Sequence, residues 1–139
     1  RVLYSKQRRS SMNRSVIIWS LLLIISGIIL GAFGAHALKE IISQDKLLSF
    51  ETGIRYQIYQ GLGMLIIGFS SEKIKFSIKW FKLLGLIGTC LFCFSIYILA
   101  LSNQIDIPTY LIGPITPIGG TMIICSWLIL LKGFLNYKK

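Results

Sequence analysis

The chain has 139 residues, of which 54% are hydrophobic and only 14% are charged. A soluble domain has roughly a quarter of its residues charged, so this composition excludes an ordinary soluble domain and predicts an integral membrane protein. The formal net charge of +10 would suggest nucleic-acid binding, but the basic residues are grouped in the short segments between apolar stretches. That grouping orients a protein in a membrane and brings lysines to lipid head groups, so we expect no nucleic-acid partner.

Four apolar stretches without a formal charge follow one another along the chain, and we interpret them as four transmembrane helices. They cover residues 16–38, 56–71, 83–105 and 107–131. A helix needs about 20 apolar residues to cross the hydrocarbon core, and three of the stretches are long enough. The second has 16 residues, so its helix must begin earlier and bring Arg55 and Glu51 to the membrane edge.

The charges predict the orientation. Twelve of the fifteen basic residues lie before the first stretch, between the second and third, or after the fourth. Four of the five acidic residues lie in the other two connections or at their edges: Glu40, Asp45, Glu51 and Asp106. Because cytoplasmic segments carry the excess of lysine and arginine, both termini are expected in the cytoplasm.

The domain organisation is simple. Residues 1–11 form a basic tail that we interpret as non-native or disordered, since Met12-Asn13-Arg14 resembles an ordinary start. Residues 12–139 are expected to form a single four-helix transmembrane domain. A cleaved signal peptide is the alternative for the first stretch, because Ala35-His36-Ala37 resembles a cleavage site, but the stretch is long and three more follow it.

Small residues recur on one face of each predicted helix, which favours close packing between helices. In the first span Gly27, Gly31 and Gly34 are four and three residues apart, and these spacings share a helix face. The corresponding residues of the later spans are Gly61, Gly85, Gly88, Gly119 and Gly120.

The segment 39–52 between the first two spans is amphipathic and predicts a short interfacial helix. Glu51 and Arg55 are four residues apart with the acid first, the favoured order for a helical ion pair. We therefore expect these two side chains to pair.

Prolines and glycines are concentrated where the fourth span should begin. Its helix either starts late, with Pro117 in the first turn, or starts near Pro108 and is bent. Because the connections are short, successive helices should be antiparallel neighbours. The predicted fold is an all-α membrane protein with four transmembrane helices in an up-down antiparallel bundle.

Five polar residues would gather toward the outer leaflet in this bundle: His36, Glu51, Arg55, Gln57 and Thr116. Three interpretations are open, namely a structural polar cluster, a ligand or ion site, and a metal site. A metal site needs three or four converging ligands, and one histidine with one or two carboxylates supplies too few. We favour the structural cluster and expect no metal and no cofactor.

Nothing in the sequence has the pattern of a catalytic site. Cys90 and Cys93 have C-x-x-C spacing but lie in the middle of a span, where they are expected to be small apolar fillers together with Cys125. There is no Gly-rich phosphate loop, nucleophile elbow or Ser-His-Asp set in the sequence, so we expect no catalytic residues and no enzymatic activity.

Four runs of sequence resemble one family in their order along the chain: residues 31–38, 50–57, 91–101 and 115–120. They are similar to the small YgdD-type inner-membrane proteins of the domain of unknown function 423, to which eukaryotic transmembrane protein 256 is related. The resemblance covers residues 12–139 and implies an integral protein of the bacterial inner membrane with no established activity. Two positions depart from the family pattern: Gln60 replaces a usual histidine, and Cys93-Phe94 replaces a small Ser-Gly pair.

Two functional hypotheses remain. The first is a structural or accessory protein that acts through membrane lipids or a partner membrane protein, because few polar groups are available to line a pathway. The alternative is a small transporter or channel subunit that uses the outer-leaflet polar cluster, working as a homo-oligomer because four helices enclose little volume.

Overall fold

The computed structural model describes residues 12–137, and within this range every regular element is helical. The interpretation of residues 1–11 as a non-native or disordered tail lies outside the described residues. A one-turn 3-10 helix, Leu38–Glu40, separates the first two of six α-helices. The helices are α1 (Arg14–His36), α2 (Gln44–Ser70), α3 (Lys79–Ala100), α4 (Ser102–Ile105), α5 (Thr109–Ile112) and α6 (Ile115–Asn136).

Three segments of the described chain are long and apolar enough to cross a membrane: Arg14–Glu40, Lys79–Ala100 and Thr109–Asn136. The fourth long helix, α2, has 27 residues and is roughly 40 Å long at 1.5 Å per residue. Its first half carries the charged residues Asp45, Lys46, Glu51 and Arg55. Composition alone therefore identifies three spans rather than the four that we predicted.

The amphipathic segment between the first two spans is not a separate interfacial helix. Residues after Glu40 form a short turn, and from Gln44 onward the chain is already α2. No proline interrupts the sequence from Gln44 to Ser70, so nothing ends the helix between the amphipathic and the apolar parts. The apolar side chains Leu47 and Phe50 are buried as part of α2.

The long helices pack in the order α1, α2, α3, α6. In the two pairs described next, the start of one helix lies against the end of its neighbour. Gly34, near the end of α1, faces Phe50 near the start of α2, whereas Gly68 at the end of α2 faces Ile17 near the start of α1. In the same way Gly53 of α2 faces Tyr97 near the end of α3.

Two clusters of buried side chains form the core. One lies around the start of α2 and the end of α3, and comprises Leu38, Ile42, Leu47, Phe50, Ile54, Cys93, Tyr97 and Ala100. The other lies at the opposite end of the bundle, and comprises Val16, Met64, Ile78, Phe81 and Leu130. Along α2, the buried Gln57 and Gln60 lie between the residues that belong to the two clusters.

The start of the last long helix combines the two alternatives that we considered. One helical turn, α5, follows Pro108, and α6 begins at Ile115, which places Pro117 in its first turn. Proline is tolerated there because the first-turn N–H groups have no partner within the helix. Ahead of α5, Asp106 ends α4 in the left-handed conformation, with φ of 47°.

Candidate functional site

The five residues of the predicted polar cluster lie in different environments. His36, Glu51 and Arg55 are exposed, Thr116 is half-buried and Gln57 is buried. Arg55 donates an Nη2 hydrogen bond to Thr52 Oγ1 at 3.1 Å and, among the described residues, makes no ion pair with Glu51. The ion pair expected from their spacing is therefore not formed, because the exposed guanidinium contacts the hydroxyl of Thr52, three residues before it.

No hydrogen bond joins any two of these five side chains in residues 12–137. Thr116 Oγ1 lies 2.7 Å from Ser95 Oγ and links α6 to α3. Gln57 instead contacts α1 and α3. A joint role of the five residues at an outer site stays a prediction.

Gln57 is the centre of a buried hydrogen-bonded group that joins three helices. Its Nε2 donates to Leu23 O at 2.9 Å and to Ser26 Oγ at 2.7 Å, both on α1. Its Oε1 accepts the hydroxyl of Tyr97 on α3 at 2.7 Å. Both hydrogens of the amide nitrogen and its oxygen are thus used within the protein.

Gln60, one turn further along α2, forms a second group of the same kind. Its Oε1 accepts Nε1–H of Trp127 on α6 at 2.6 Å, and its Nε2 donates to Thr89 Oγ1 on α3 at 3.3 Å. Thr89 in turn donates to Gly85 O at 2.6 Å. Together the two glutamines connect α2 to each of the other long helices.

The chemistry of these groups is that of structural hydrogen bonding. Each buried side-chain nitrogen or oxygen atom in the described range has at least one hydrogen-bond partner. No group of three or more His, Cys, Asp or Glu side chains in that range is arranged to hold a metal ion. Amides and hydroxyls that are paired across helices in this way hold the helices in register.

The eight glycines singled out from the sequence all lie where helices touch. A Cβ atom at Gly88 would lie 2.9 Å from Gly119 O, and one at Gly119 would overlap the backbone of Phe92. A Cβ at Gly61 would lie 3.1 Å from Ser20 O on α1. The backbones of α1 and α2, and of α3 and α6, can approach this closely only because these positions lack a side chain.

Sequence reasoning missed the partners of the glutamines. Thr89, Tyr97 and Trp127 were not predicted as hydrogen-bond partners. The available signal was the occurrence of Gln57 and Gln60 three residues apart in an apolar stretch, since polar side chains there must be satisfied within the bundle. Gly53, Gly63, Gly68 and Gly133 also lie at close contacts and were not among the packing glycines that we selected.

The cysteines are all free thiols. Cys93 is buried and its Sγ lies 3.4 Å from Gly53 O, whereas Cys90 and Cys125 are exposed on the helix surfaces.

Comparison with known proteins identifies the family. A family profile described as "Protein of unknown function (DUF423)" matches residues 30–120. The UPF0382 membrane protein SSP2132 of Staphylococcus saprophyticus is 45% identical over 103 residues, which are 74% of this chain and 82% of that protein. The UPF0382 membrane protein YwdK of Bacillus subtilis is 36% identical over 110 residues, 78% of this chain and 85% of the relative.

The Escherichia coli K12 protein YgdD, described as a UPF0382 inner membrane protein, is 33% identical over 119 residues, 83% of this chain and 87% of YgdD. No solved structure gave a significant match. The family resemblance seen in the four sequence runs is thus confirmed by both kinds of comparison. The chain belongs to the DUF423 family of uncharacterised UPF0382 membrane proteins.

Proposed function

We propose that the protein is a non-enzymatic structural or accessory component of the bacterial inner membrane that acts through lipid or a partner membrane protein. The observation that carries the proposal is the complete pairing of buried polar side-chain atoms among residues 12–137. A transport site near the middle of a membrane needs polar groups that face a water-filled cavity or a substrate. In this bundle the side-chain amides of Gln57 and Gln60 are hydrogen-bonded to neighbouring helices.

The packing of α3 against α6 also supports a closed bundle. Gly88 and Gly119 bring the two backbones into direct contact, and Gly85 has Met64 Sδ and Ser126 Oγ at 3.5 Å from the position of a Cβ. Glycine contacts of this kind leave no room for a pathway between these two helices.

Within this proposal α2 crosses the membrane in addition to the three spans identified by composition. The bundle is then up-down, and both termini are cytoplasmic. The hydrogen bonds of Gln57 and Gln60 support it, because they give the polar side chains of α2 partners at membrane depth. The concentration of lysines between α2 and α3 supports a cytoplasmic position of that connection.

Single-cysteine labelling tests this topology. In a background with the three native cysteines replaced by alanine, Ser77→Cys and Asn103→Cys place one exposed thiol in each of two connections. A membrane-impermeant maleimide applied to intact spheroplasts should label Asn103→Cys, and Ser77→Cys only after permeabilisation. The opposite labelling pattern, or equal labelling of both, would overturn the proposed topology.

A small transporter or channel subunit remains the second candidate, and one observation favours it. A cleft of about 250 Å³ is lined by Lys46, Ser49, Thr52 and Thr116 and therefore includes one member of the predicted outer cluster. Proteoliposomes loaded with proton-, potassium- or sodium-sensitive dyes separate the two functions. We expect the same leak as in empty liposomes; a flux above that level that is abolished by Thr116→Val would overturn the structural role.

A further inference from the structure

An apolar groove runs along the surface between α1 and α3. It has a volume of about 650 Å³ and is lined on one side by Trp19 and Leu22 and on the other by Leu86, Cys90 and Phe94. α1 packs on α2, whereas α3 packs on both α2 and α6. Because α1 and α3 are not packed on each other in this way, a groove is left between them. Its lining runs along α3 from Lys82 to Phe94, a distance of roughly 18 Å at 1.5 Å per residue.

A second cleft adjoins the groove and is polar. It has a volume of about 580 Å³, and Arg14, Lys79 and Lys82 are among its lining residues, with Asn13 and Ser77. Lys82 lines both cavities. The apolar groove and this basic pocket therefore adjoin at Lys82, and an amphiphile with an anionic head group would fit such an arrangement.

No acidic residue is among the described residues that line this pocket. Arg14, Lys79 and Lys82 are its charged lining residues. The acidic residue that approaches the pocket is Glu72, whose carboxylate accepts the backbone N–H of Met12 at 3.1 Å. Three basic groups therefore surround the pocket beside one carboxylate.

Two helix termini add to the positive potential. The first residues of α1 and α3 line the pocket, and neither helix has an acidic residue in its first turn. The positive ends of both helix dipoles therefore point toward this region. The carboxyl end of α2 is capped there, because Ser71 Oγ donates to Gly68 O at 2.7 Å and accepts from Asn13 N at 2.7 Å.

We propose that this composite cavity binds one anionic phospholipid. The phosphate of the head group contacts Lys79 and Lys82, and one acyl chain lies in the groove between α1 and α3. The inference deepens the proposed function by naming the lipid class, and it rests on the proposal that α1 and α3 span the membrane with this end at the cytoplasmic leaflet.

Native mass spectrometry of protein released from nanodiscs tests the charge selectivity. Nanodiscs made from equal amounts of phosphatidylglycerol and phosphatidylcholine should release the protein with one lipid, mainly phosphatidylglycerol. Lys79→Gln/Lys82→Gln should lower the retained phosphatidylglycerol at least fivefold. Lys73→Gln/Lys75→Gln is the matched control, because it removes the same charge from the connection just before α3, at residues that do not line either cavity.

Filling the groove tests the position of the acyl chain. Cys90→Phe should abolish lipid retention, whereas Cys125→Phe, at an exposed cysteine of α6 outside the groove, should leave it unchanged. Leu22→Trp narrows the groove from the α1 side and serves as a second test if Cys90→Phe does not give a folded protein, as judged by circular dichroism and size-exclusion chromatography.

Several results would overturn the lipid proposal. These are equal retention of the two lipids, equal losses in the two double-lysine variants, unchanged retention in a folded groove variant, release of the lipid by millimolar inorganic phosphate, and a second copy of the chain bound in place of lipid. A failure of lipid binding does not affect the dye measurement of flux. Conversely, flux through a protein that retains phosphatidylglycerol would overturn only the structural role.

Discussion

Tyr97 donates its hydroxyl hydrogen to Gln57 Oε1 across 2.7 Å in the interior of the bundle. Both side chains are buried, and the amide nitrogen of Gln57 is at the same time bonded to α1. A buried polar side chain is costly unless it is paired, so this contact constrains the rotation of α2 relative to two neighbours at once.

The first prediction removes this hydrogen bond. Tyr97→Phe keeps the ring and leaves Gln57 Oε1 without its donor, and we expect the free energy of unfolding to fall by about 0.5–1.5 kcal/mol, the net contribution of a typical intramolecular hydrogen bond. Unfolding in mixed micelles with increasing dodecyl sulfate measures the change.

Tyr59→Phe is the matched control. Tyr59 is 62% exposed on the same helix as Gln57, and its hydroxyl makes no hydrogen bond in the described part of the chain. Its removal should change the free energy of unfolding by less than about 0.5 kcal/mol. Equal losses in the two variants would show that the Tyr97 contact contributes nothing specific.

The second prediction compares two adjacent glycines of α6. In Gly119→Ala the new methyl group would overlap the backbone of Phe92 and lie 2.8 Å from Gly88 O, so α3 and α6 must separate. We expect a loss of about 1–3 kcal/mol in the free energy of unfolding, as for overpacked cores.

In Gly120→Ala the methyl group would lie 3.5 Å from the Phe92 ring, an ordinary van der Waals contact. The variant should be as stable as the parent or more stable by up to about 1 kcal/mol, because alanine favours helix over glycine. The same micelle unfolding experiment compares the two. A Gly119→Ala protein as stable as Gly120→Ala would contradict the close contact between α3 and α6.

The membrane class and the helical fold could be predicted because they follow from composition and from the lengths of apolar runs. The spacing of the glycines likewise indicated which helix faces pack closely on a neighbouring helix. The structure places Gly27 against Ile58 and Gly34 against Phe50. The partners of Gln57 and Gln60 could not be predicted, since they depend on the rotation of each helix and on residues 29–67 positions away in the chain. The spacing of Glu51 and Arg55 predicted an ion pair that is not formed, because the Arg55 guanidinium bonds to Thr52 instead.

The third prediction concerns two basic residues of α2. Lys46 is half-buried, and its Nζ donates to Leu99 O at 2.7 Å and to Ser102 Oγ at 3.1 Å, which links α2 to the end of α3. Lys46→Met keeps the aliphatic stem but removes these bonds, so we expect a loss of about 1–2 kcal/mol in the free energy of unfolding.

Arg55→Ala serves as the comparison. Arg55 is exposed and donates to a threonine of its own helix, so its removal should cost less than about 0.5 kcal/mol. Thermal unfolding in detergent at constant pH reports both variants. A larger loss in Arg55→Ala than in Lys46→Met would restore the structural ion pair that the sequence suggested for Arg55 and Glu51.

The fourth prediction uses the turn between α4 and α5. Asp106 has a φ of 47°, a left-handed conformation that costs a branched L-residue about 1–2 kcal/mol. Asp106→Val should therefore lower the free energy of unfolding by that amount, whereas Asp106→Gly should leave it unchanged or raise it, because glycine adopts this conformation without a steric clash.

Asn103→Val is the control for the exchange of a polar residue for valine. Asn103 is an exposed helical position in the same connection, and its replacement should lower the free energy of unfolding by less than about 0.5 kcal/mol. If Asp106→Val and Asn103→Val lower the free energy of unfolding by the same amount, the left-handed conformation of Asp106 is not what stabilises this connection.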